Sequence, residues 1–170
     1  MYSLNVPVPG AVARVAAELH PALQPFGTVR DRHTLVLKRL EVDGSPGFDR
    51  AAKRVRRTLA GAPAVEARTA GIDSFEEPVA GPGPVVYLGV ASPGLHDLHN
   101  RLVDELGAVT GLEGPSWVPH ITLARGGDPT ATDLDRLRSH DPDPVTWTVG
   151  SLEFYDAHRN ERAGTISLPA

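Results

Sequence analysis

The chain has 170 residues, of which 41% are hydrophobic and 22% charged, a composition typical of one compact domain or of two small lobes packed together. Its 17 basic and 21 acidic side chains give a formal net charge of -4, which argues against a protein that coats nucleic acid by bulk charge. Cysteine is absent, so disulfides, thiolate nucleophiles and cysteine zinc sites are excluded.

The first ten residues have no basic segment, and Pro7 and Pro9 interrupt their short apolar run. No stretch approaches the roughly 20 apolar residues that a membrane helix needs. We therefore expect a cytoplasmic protein that makes no contact with a membrane.

The first half of the chain has the pattern of alternating strands and helices. In chain order we predict a strand over residues 2–8, a helix over 10–20, a strand over 33–42, a helix over 48–59 and a strand over 64–69. The glycines and the proline of residues 43–47 predict a loop between the second strand and the second helix.

Residues 76–84 contain three prolines and two glycines and are predicted to be an internal boundary. Beyond it we predict strands over residues 85–90, 117–124, 145–155 and 165–168, and helices over 95–106 and 132–139. Both halves thus run strand, helix and then a strand that carries a histidine beside a threonine. This order predicts an α+β or α/β fold in which one domain, residues 1–170, consists of two similar lobes.

The segment from Trp117 to Arg125 carries a histidine and a threonine at strand spacing. Side chains of a strand alternate between faces, so His120 and Thr122 share one face. Ile121 and Leu123 share the other face and can pack into a core. An imidazole, which transfers protons near neutral pH, would then lie beside a hydroxyl that can donate a hydrogen bond to phosphate.

Residues 31–40 form a second strand of this kind, but its parity differs. His33 and Thr34 are neighbours in the sequence, so a regular strand would not point both into one site. A β-bulge could reconcile them, because it adds one residue and re-aims a side chain. In the other register, Arg32 and Thr34 face the site and His33 turns away. We favour the register in which His33 faces the site.

The two segments resemble the paired motifs of the two-histidine phosphoesterases, a superfamily that includes the 2'-5' RNA ligase-like proteins and cyclic phosphodiesterases. Its members carry two His-x-Thr/Ser-x strands about 80 to 90 residues apart, and here the separation is 120 − 33 = 87. The second motif, His-Ile-Thr-Leu-Ala-Arg from His120, fits the pattern. The first departs from it, because Leu35 occupies the usual Thr/Ser position and the hydroxyl is on Thr34.

The resemblance implies an α+β, bilobal, duplicated fold, with two antiparallel-sheet lobes and outer helices around a central cleft. It also implies that His33 and His120 act as the general acid and general base on a 2',3'-cyclic phosphate or a 2'-5' phosphodiester. Thr122, Thr34 and Arg125 are the predicted contacts to phosphate. No metal or other cofactor is required. The expected partners are RNA ends or small cyclic-phosphate nucleotides, the implied role is RNA processing, and we expect a monomer.

Other polar residues receive simpler interpretations. Lys38 and Arg39 follow the first motif and could meet phosphate, whereas the basic residues between 50 and 57 are expected to form a solvated helix face. His96 and His99 lie three residues apart on a helix, but no third ligand is assigned, so we expect them to be exposed to solvent.

Two other classes of function stay open. The first is a non-catalytic RNA- or nucleotide-binding protein that keeps the cleft, which the irregular first motif favours. The second is a metal-dependent hydrolase that uses the scattered histidines.

Overall fold

The structure is a computed structural model, and it describes residues 1–169. Their strands are β1 (Tyr2–Val6), β2 (Thr28–Val29), β3 (Leu35–Leu40), β4 (Val65–Phe75), β5 (Val85–Ala91), β6 (His120–Arg125), β7 (Thr146–Val149), β8 (Ser151–Asp156) and β9 (Glu161–Ser167). Their α-helices are α1 (Gly10–Leu19), α2 (Gly44–Thr58), α3 (Pro93–Leu106) and α4 (Ala131–Arg138), and short 3₁₀ helices cover His20–Leu23 and Gly114–Ser116.

The strands form two antiparallel sheets, one in the order β3-β1-β8-β9 and one in the order β2-β6-β5-β4-β7. Each helix buries an apolar stripe, as α1 does with Val12, Val15 and Leu19. The predicted α+β fold with two antiparallel sheets is therefore confirmed.

The two sheets do not separate at residues 76–84. That segment connects β4 to β5, which are neighbours in the five-stranded sheet. In addition, β2 from the first half belongs to the five-stranded sheet, while β8 and β9 from the second half complete the other. Prolines and glycines mark a change of chain direction, and a connection within one sheet has the same composition as a linker between lobes.

Several element bounds differ from those predicted: β3 begins only at Leu35, after His33 and Thr34, β4 extends to Phe75, and β9 begins already at Glu161. The predicted loop over residues 43–47 is wrong, because α2 already begins at Gly44 and accommodates Pro46 in its first turn, where a missing N–H costs nothing. The predicted strand over 145–155 is divided at Gly150 into β7 and β8, which belong to different sheets. The strand predicted from residue 117 begins only at His120.

In residues 1–169, no helix combines the length and the apolar character that crossing a membrane requires.

Candidate active site

A cavity of about 300 Å³ lies where β3 of the first sheet meets β6 of the second. Strand β6 contributes His120, Thr122 and Arg125, and β3 contributes Val36 and Arg39. Phe75, residues 77–80, Trp117 and the exposed Arg30 complete most of the wall.

The geometry of β6 explains how three of the predicted residues reach this cavity together. Ile121 and Leu123 are fully buried on the opposite side of the strand, as the alternation predicts. Arg125 would fall on that buried side in a regular strand. The register against β5 shifts, however, and leaves Leu123 as an extra residue, which brings Arg125 to the same side as His120.

Among residues 1–169, only one of the two imidazole nitrogens of His120 has a hydrogen-bond partner. Its Nδ1 lies 2.7 Å from the carbonyl oxygen of Val118, and since a carbonyl only accepts, Nδ1 carries the hydrogen and donates it. The rings of Phe75 and Tyr87 pack against the imidazole, with centroids at 5.2 and 5.1 Å. In the neutral ring Nε2 is therefore unprotonated, as a general base must be.

Burial lowers the pKa of His120 below its usual 6.5, and the positive charges of Arg39 and Arg125 lower it further. The hydrogen bond to Val118 acts in the opposite direction. The imidazole is consequently neutral at pH 7 and ready to accept a proton.

Arg125 also holds the segment over residues 76–84 against the cavity. Its Nη2 donates to the carbonyl of Ala80 at 2.7 Å, and its Nε donates to the carbonyl of Pro82 at 3.2 Å. Gly81 permits this approach, since a Cβ on it would lie 2.7 Å from Nη2 of the arginine. Two of the donors of Arg125 are thus occupied by backbone.

His33 and Thr34 are not among the residues that line this cavity in the described part of the chain. The Nε2 atom of His33 is buried and has no hydrogen-bond partner within residues 1–169, and burial lowers the pKa of the ring. Thr34 donates its hydroxyl hydrogen to the carbonyl of Val6 at 3.4 Å. The guanidinium of Arg32 lies over the ring of Tyr155, 4.8 Å from its centroid. The structure thus gathers His120, Thr122 and Arg125 and leaves the first motif outside.

A buried polar cluster behind β3 was not anticipated from the sequence. His99 is fully buried, so the expectation that it is exposed is wrong, whereas His96 is exposed as expected. Nδ1 of His99 donates to the carbonyl of Leu37 at 2.8 Å, its Nε2 accepts from the N–H of Gly114 at 2.9 Å, and its ring stacks on Trp117 at 4.1 Å. Helical spacing alone cannot indicate this, because β3 covers α3 only in the folded molecule.

Glu113 is the second member of this cluster. Its Oε2 accepts from Nζ of Lys38 at 2.6 Å and from the N–H of Val109 at 3.0 Å. Its Oε1 accepts from the backbone N–H of Arg39 at 2.7 Å. Because β3 is an edge strand, these groups would otherwise lack partners.

A family model, described as the 2'-5' RNA ligase superfamily, matches residues 8–161. No curated protein matches the sequence.

Several solved structures are similar along nearly their whole length. TT0787 of Thermus thermophilus has a TM-score of 0.69 at 20% identity, with 98% of this chain and 97% of that chain covered. LigT of E. coli complexed with 3'-AMP has a TM-score of 0.73 at 17% identity, with 99% and 98% covered. LigT complexed with NADP+ has a TM-score of 0.68 at 16% identity, with 99% and 97% covered. At these identities the likeness concerns the fold.

The family model spans almost the whole chain, and the two-sheet fold agrees with it. The protein belongs to the 2'-5' RNA ligase superfamily, within the two-histidine phosphoesterases that its paired motifs resemble.

Proposed function

We propose that this protein is a metal-independent phosphodiesterase that acts in the cavity on an RNA-type 2',3'-cyclic phosphate or 2'-5' phosphodiester. The observation that carries the proposal is the free Nε2 of His120 beside the hydroxyl of Thr122, in a cavity that three arginines line. An imidazole can move the proton, and the hydroxyl and guanidinium groups can hold the anionic oxygens.

The chemistry of hydrolysis assigns a role to each group. Neutral His120 accepts a proton from water as the water oxygen bonds to phosphorus. The bond from phosphorus to one ribose oxygen breaks, and that oxygen takes a proton from His33 in the two-histidine form or from solvent water without it. Thr122 donates a hydrogen bond to a non-bridging oxygen, where negative charge builds. In the reverse direction the roles of acid and base exchange.

The two-histidine form of this mechanism, with His33 as the partner of His120, stays a prediction. So does the contact of Thr34 with phosphate. The solved complexes of the similar LigT protein hold 3'-AMP and NADP+, which supports a nucleotide or an RNA end as the ligand here. A role in RNA processing, a cytoplasmic location and a monomeric state are further parts of the proposal.

The test compares hydrolysis of a 2',3'-cyclic nucleotide, in excess chelator, by the wild type, His120→Ala and His33→Ala. Loss of a general base typically costs about 10²- to 10⁴-fold in rate, so we expect His120→Ala to lose at least 100-fold. A comparable loss in His33→Ala would support the pair. Full activity in His120→Ala would refute the proposal, and full activity in His33→Ala alone would refute the two-histidine form.

A non-catalytic nucleotide-binding protein is the second candidate, and the position of His33 outside the cavity favours it. This protein would bind a nucleoside 3'-phosphate but would hydrolyse none of a panel of cyclic phosphates and 2'-5'-linked dinucleotides. Turnover of any of these compounds that requires His120 would exclude it.

A further inference from the structure

Strand β3, together with Thr34 just before it, and strand β6 have matching patterns of burial. From Thr34 to Arg39 the residues are in turn half-buried, buried, half-buried, buried, buried and half-buried, and the same order runs from His120 to Arg125. Each strand also has one extra residue relative to the strand it pairs with. This residue is Leu37 in β3, which pairs with β1, and Leu123 in β6, which pairs with β5. The two bulges therefore occupy corresponding positions.

This correspondence pairs Arg39 with Arg125, since the separations 120 − 34 and 125 − 39 are both 86. In a regular β3, Val36 and Lys38 would share a face. The bulge at Leu37 instead turns Lys38 inward, where it is 3% exposed, and brings Arg39 into the cavity.

The two arginines differ in what they already bind. Arg125 donates to two carbonyl oxygens of the segment over residues 76–84. The half-buried guanidinium of Arg39 has no hydrogen bond and no ion pair with any residue from 1 to 169. The nearby carboxylate of Glu113 accepts instead from Lys38, Val109 and the backbone of Arg39. A half-buried cation with free donors is suited to an anionic ligand.

The cluster behind β3 holds the bulge in place. Trp117 donates from Nε1 to the carbonyl of Val36 at 3.3 Å, and His99 donates to the carbonyl of Leu37 at 2.8 Å. Glu113 binds the backbone N–H of Arg39 itself. The backbone on both sides of the extra residue is thus fixed by buried side chains, and Arg39 projects from a rigid support.

We propose that Arg39 is the residue of the first motif strand that binds the scissile phosphate opposite His120, and that Glu113 is its positioning residue. This inference rests on the proposed function of the cavity. It gives β3 a share in binding the non-bridging oxygens, beside Thr122 of β6, with no requirement that His33 enter the cavity.

The test measures binding of 3'-AMP and of adenosine by calorimetry to the wild type, Arg39→Ala and Arg39→Lys. Hydrogen bonds to charged groups imply a loss of about 10- to 100-fold in affinity for 3'-AMP in Arg39→Ala. We expect no change for adenosine, and a partial return of affinity in Arg39→Lys. The matched control is Arg57→Ala, an exposed arginine of α2 that does not line this cavity.

Equal affinity of the wild type and Arg39→Ala for 3'-AMP would overturn the inference and leave the proposed function intact. An equal loss for adenosine would also overturn it, because the phosphate would then not be the group bound. If the wild type neither binds 3'-AMP nor hydrolyses a cyclic phosphate, the proposed function itself fails, and this inference fails with it. Thermal unfolding confirms that each variant is folded, and Arg39→Gln, which keeps part of the stem, replaces the alanine variant if needed.

A test of the positioning role of Glu113 requires a measured quantity that a change in stability alone does not alter. The charge of Arg39 lowers the pKa of His120, so Arg39→Ala should raise that pKa in an NMR titration. Glu113→Gln should raise it as well, because a displaced guanidinium acts more weakly on the imidazole. An unchanged His120 pKa in a folded Glu113→Gln protein would refute the positioning role.

Discussion

A single backbone carbonyl determines which ring nitrogen of His120 can act as the base. Val118 can only accept a hydrogen bond, so the neutral ring carries its proton on Nδ1 and keeps the lone pair of Nε2 available. The His120 ring packs edge-on against Phe75, and this aromatic contact excludes water that would solvate the protonated imidazole. Orientation and pKa thus both favour a base at neutral pH.

The lowered pKa of His120 predicts the acidic limb of the pH–rate profile. A base must be unprotonated, so kcat/KM for a 2',3'-cyclic nucleotide should fall on the acidic side only below about pH 6.5, the usual pKa of histidine. The profile is measured between pH 4.5 and 9, a range that extends at least about two units on either side of that pKa. An acidic limb centred above pH 6.5 would contradict a lowered pKa of the half-buried His120.

At the scale of elements, the connection between β4 and β5 forms a wall of the cavity, and one glycine allows it to do so. Gly81 has a φ of 76° and faces the guanidinium of Arg125. Gly61 has nearly the same φ, 74°, but a Cβ there would meet nothing within 4 Å. A substitution at Gly61 meets only the strain of a left-handed backbone, whereas one at Gly81 meets that strain and a steric collision as well.

We expect Gly61→Ala to lower the free energy of unfolding by about 1 kcal/mol, through its left-handed backbone alone. Gly81→Ala should lower it by more, because Arg125 must also move, and it should reduce turnover or nucleotide affinity as well. Urea unfolding and the activity assay measure the two effects. Equal losses of stability, with unchanged activity, would mean that the contact with Arg125 does not shape the cavity.

A second element-scale feature is the buried ion pair between Lys38 and Glu113. Both side chains are almost completely buried, and the carboxylate serves three donors at once. Removing one partner of a buried pair leaves an uncompensated charge, so Glu113→Ala should cost about 3–5 kcal/mol.

The matched control for this prediction is the ion pair between the exposed Arg162 and the half-buried Glu153, which stays in contact with solvent. Arg162→Ala should cost less than about 1 kcal/mol, as exposed pairs do. Denaturant unfolding measures both variants. Similar values for Glu113→Ala and Arg162→Ala would show that the cluster behind β3 contributes little to stability.

At the scale of the whole molecule, three histidines share one response to pH. Burial lowers the pKa of His33, His99 and His120 in the folded protein. Between their folded and unfolded pKa values the unfolded chain binds more protons, so the free energy of unfolding decreases as the pH falls below about 6.5. More than about one unit above that pH both states hold these histidines neutral, and their contribution to the pH dependence fades.

This response is checked by urea unfolding at pH 7.5 and at pH 5.5, about one unit either side of the usual histidine pKa. The free energy of unfolding should be smaller at the lower pH, and His99→Gln should reduce the difference between the two values. Equal stability of the wild type at both pH values would contradict the burial of neutral histidines. The lowered pKa values of Asp133 and Asp156 act only at more acidic pH, near and below their usual value of 3.8.

Much of what the second motif contributes to the cavity could be predicted from local spacing. The alternation of His120 with Ile121 follows from strand geometry alone, and the buried side of β6 agrees with it. Arg125 is predicted at the site from the family resemblance and not from strand alternation, because the bulge that brings it into the cavity is set by how β6 pairs with β5.

By itself, the sequence determined most of the order of strands and helices and the face on which His120 lies beside Thr122, because both depend on hydrophobic period and turn chemistry between near neighbours. The hydrophobic pattern left an α+β and an α/β fold open, and the family resemblance selected the α+β fold. Only the tertiary structure decided that β3 is an edge strand held by Glu113 and His99, that Arg39 enters the cavity, and that His33 does not line it. The physical reason is that the support of β3 and the entry of Arg39 depend on hydrogen bonds between groups 62 to 74 residues apart. Local spacing carries no signal of such contacts.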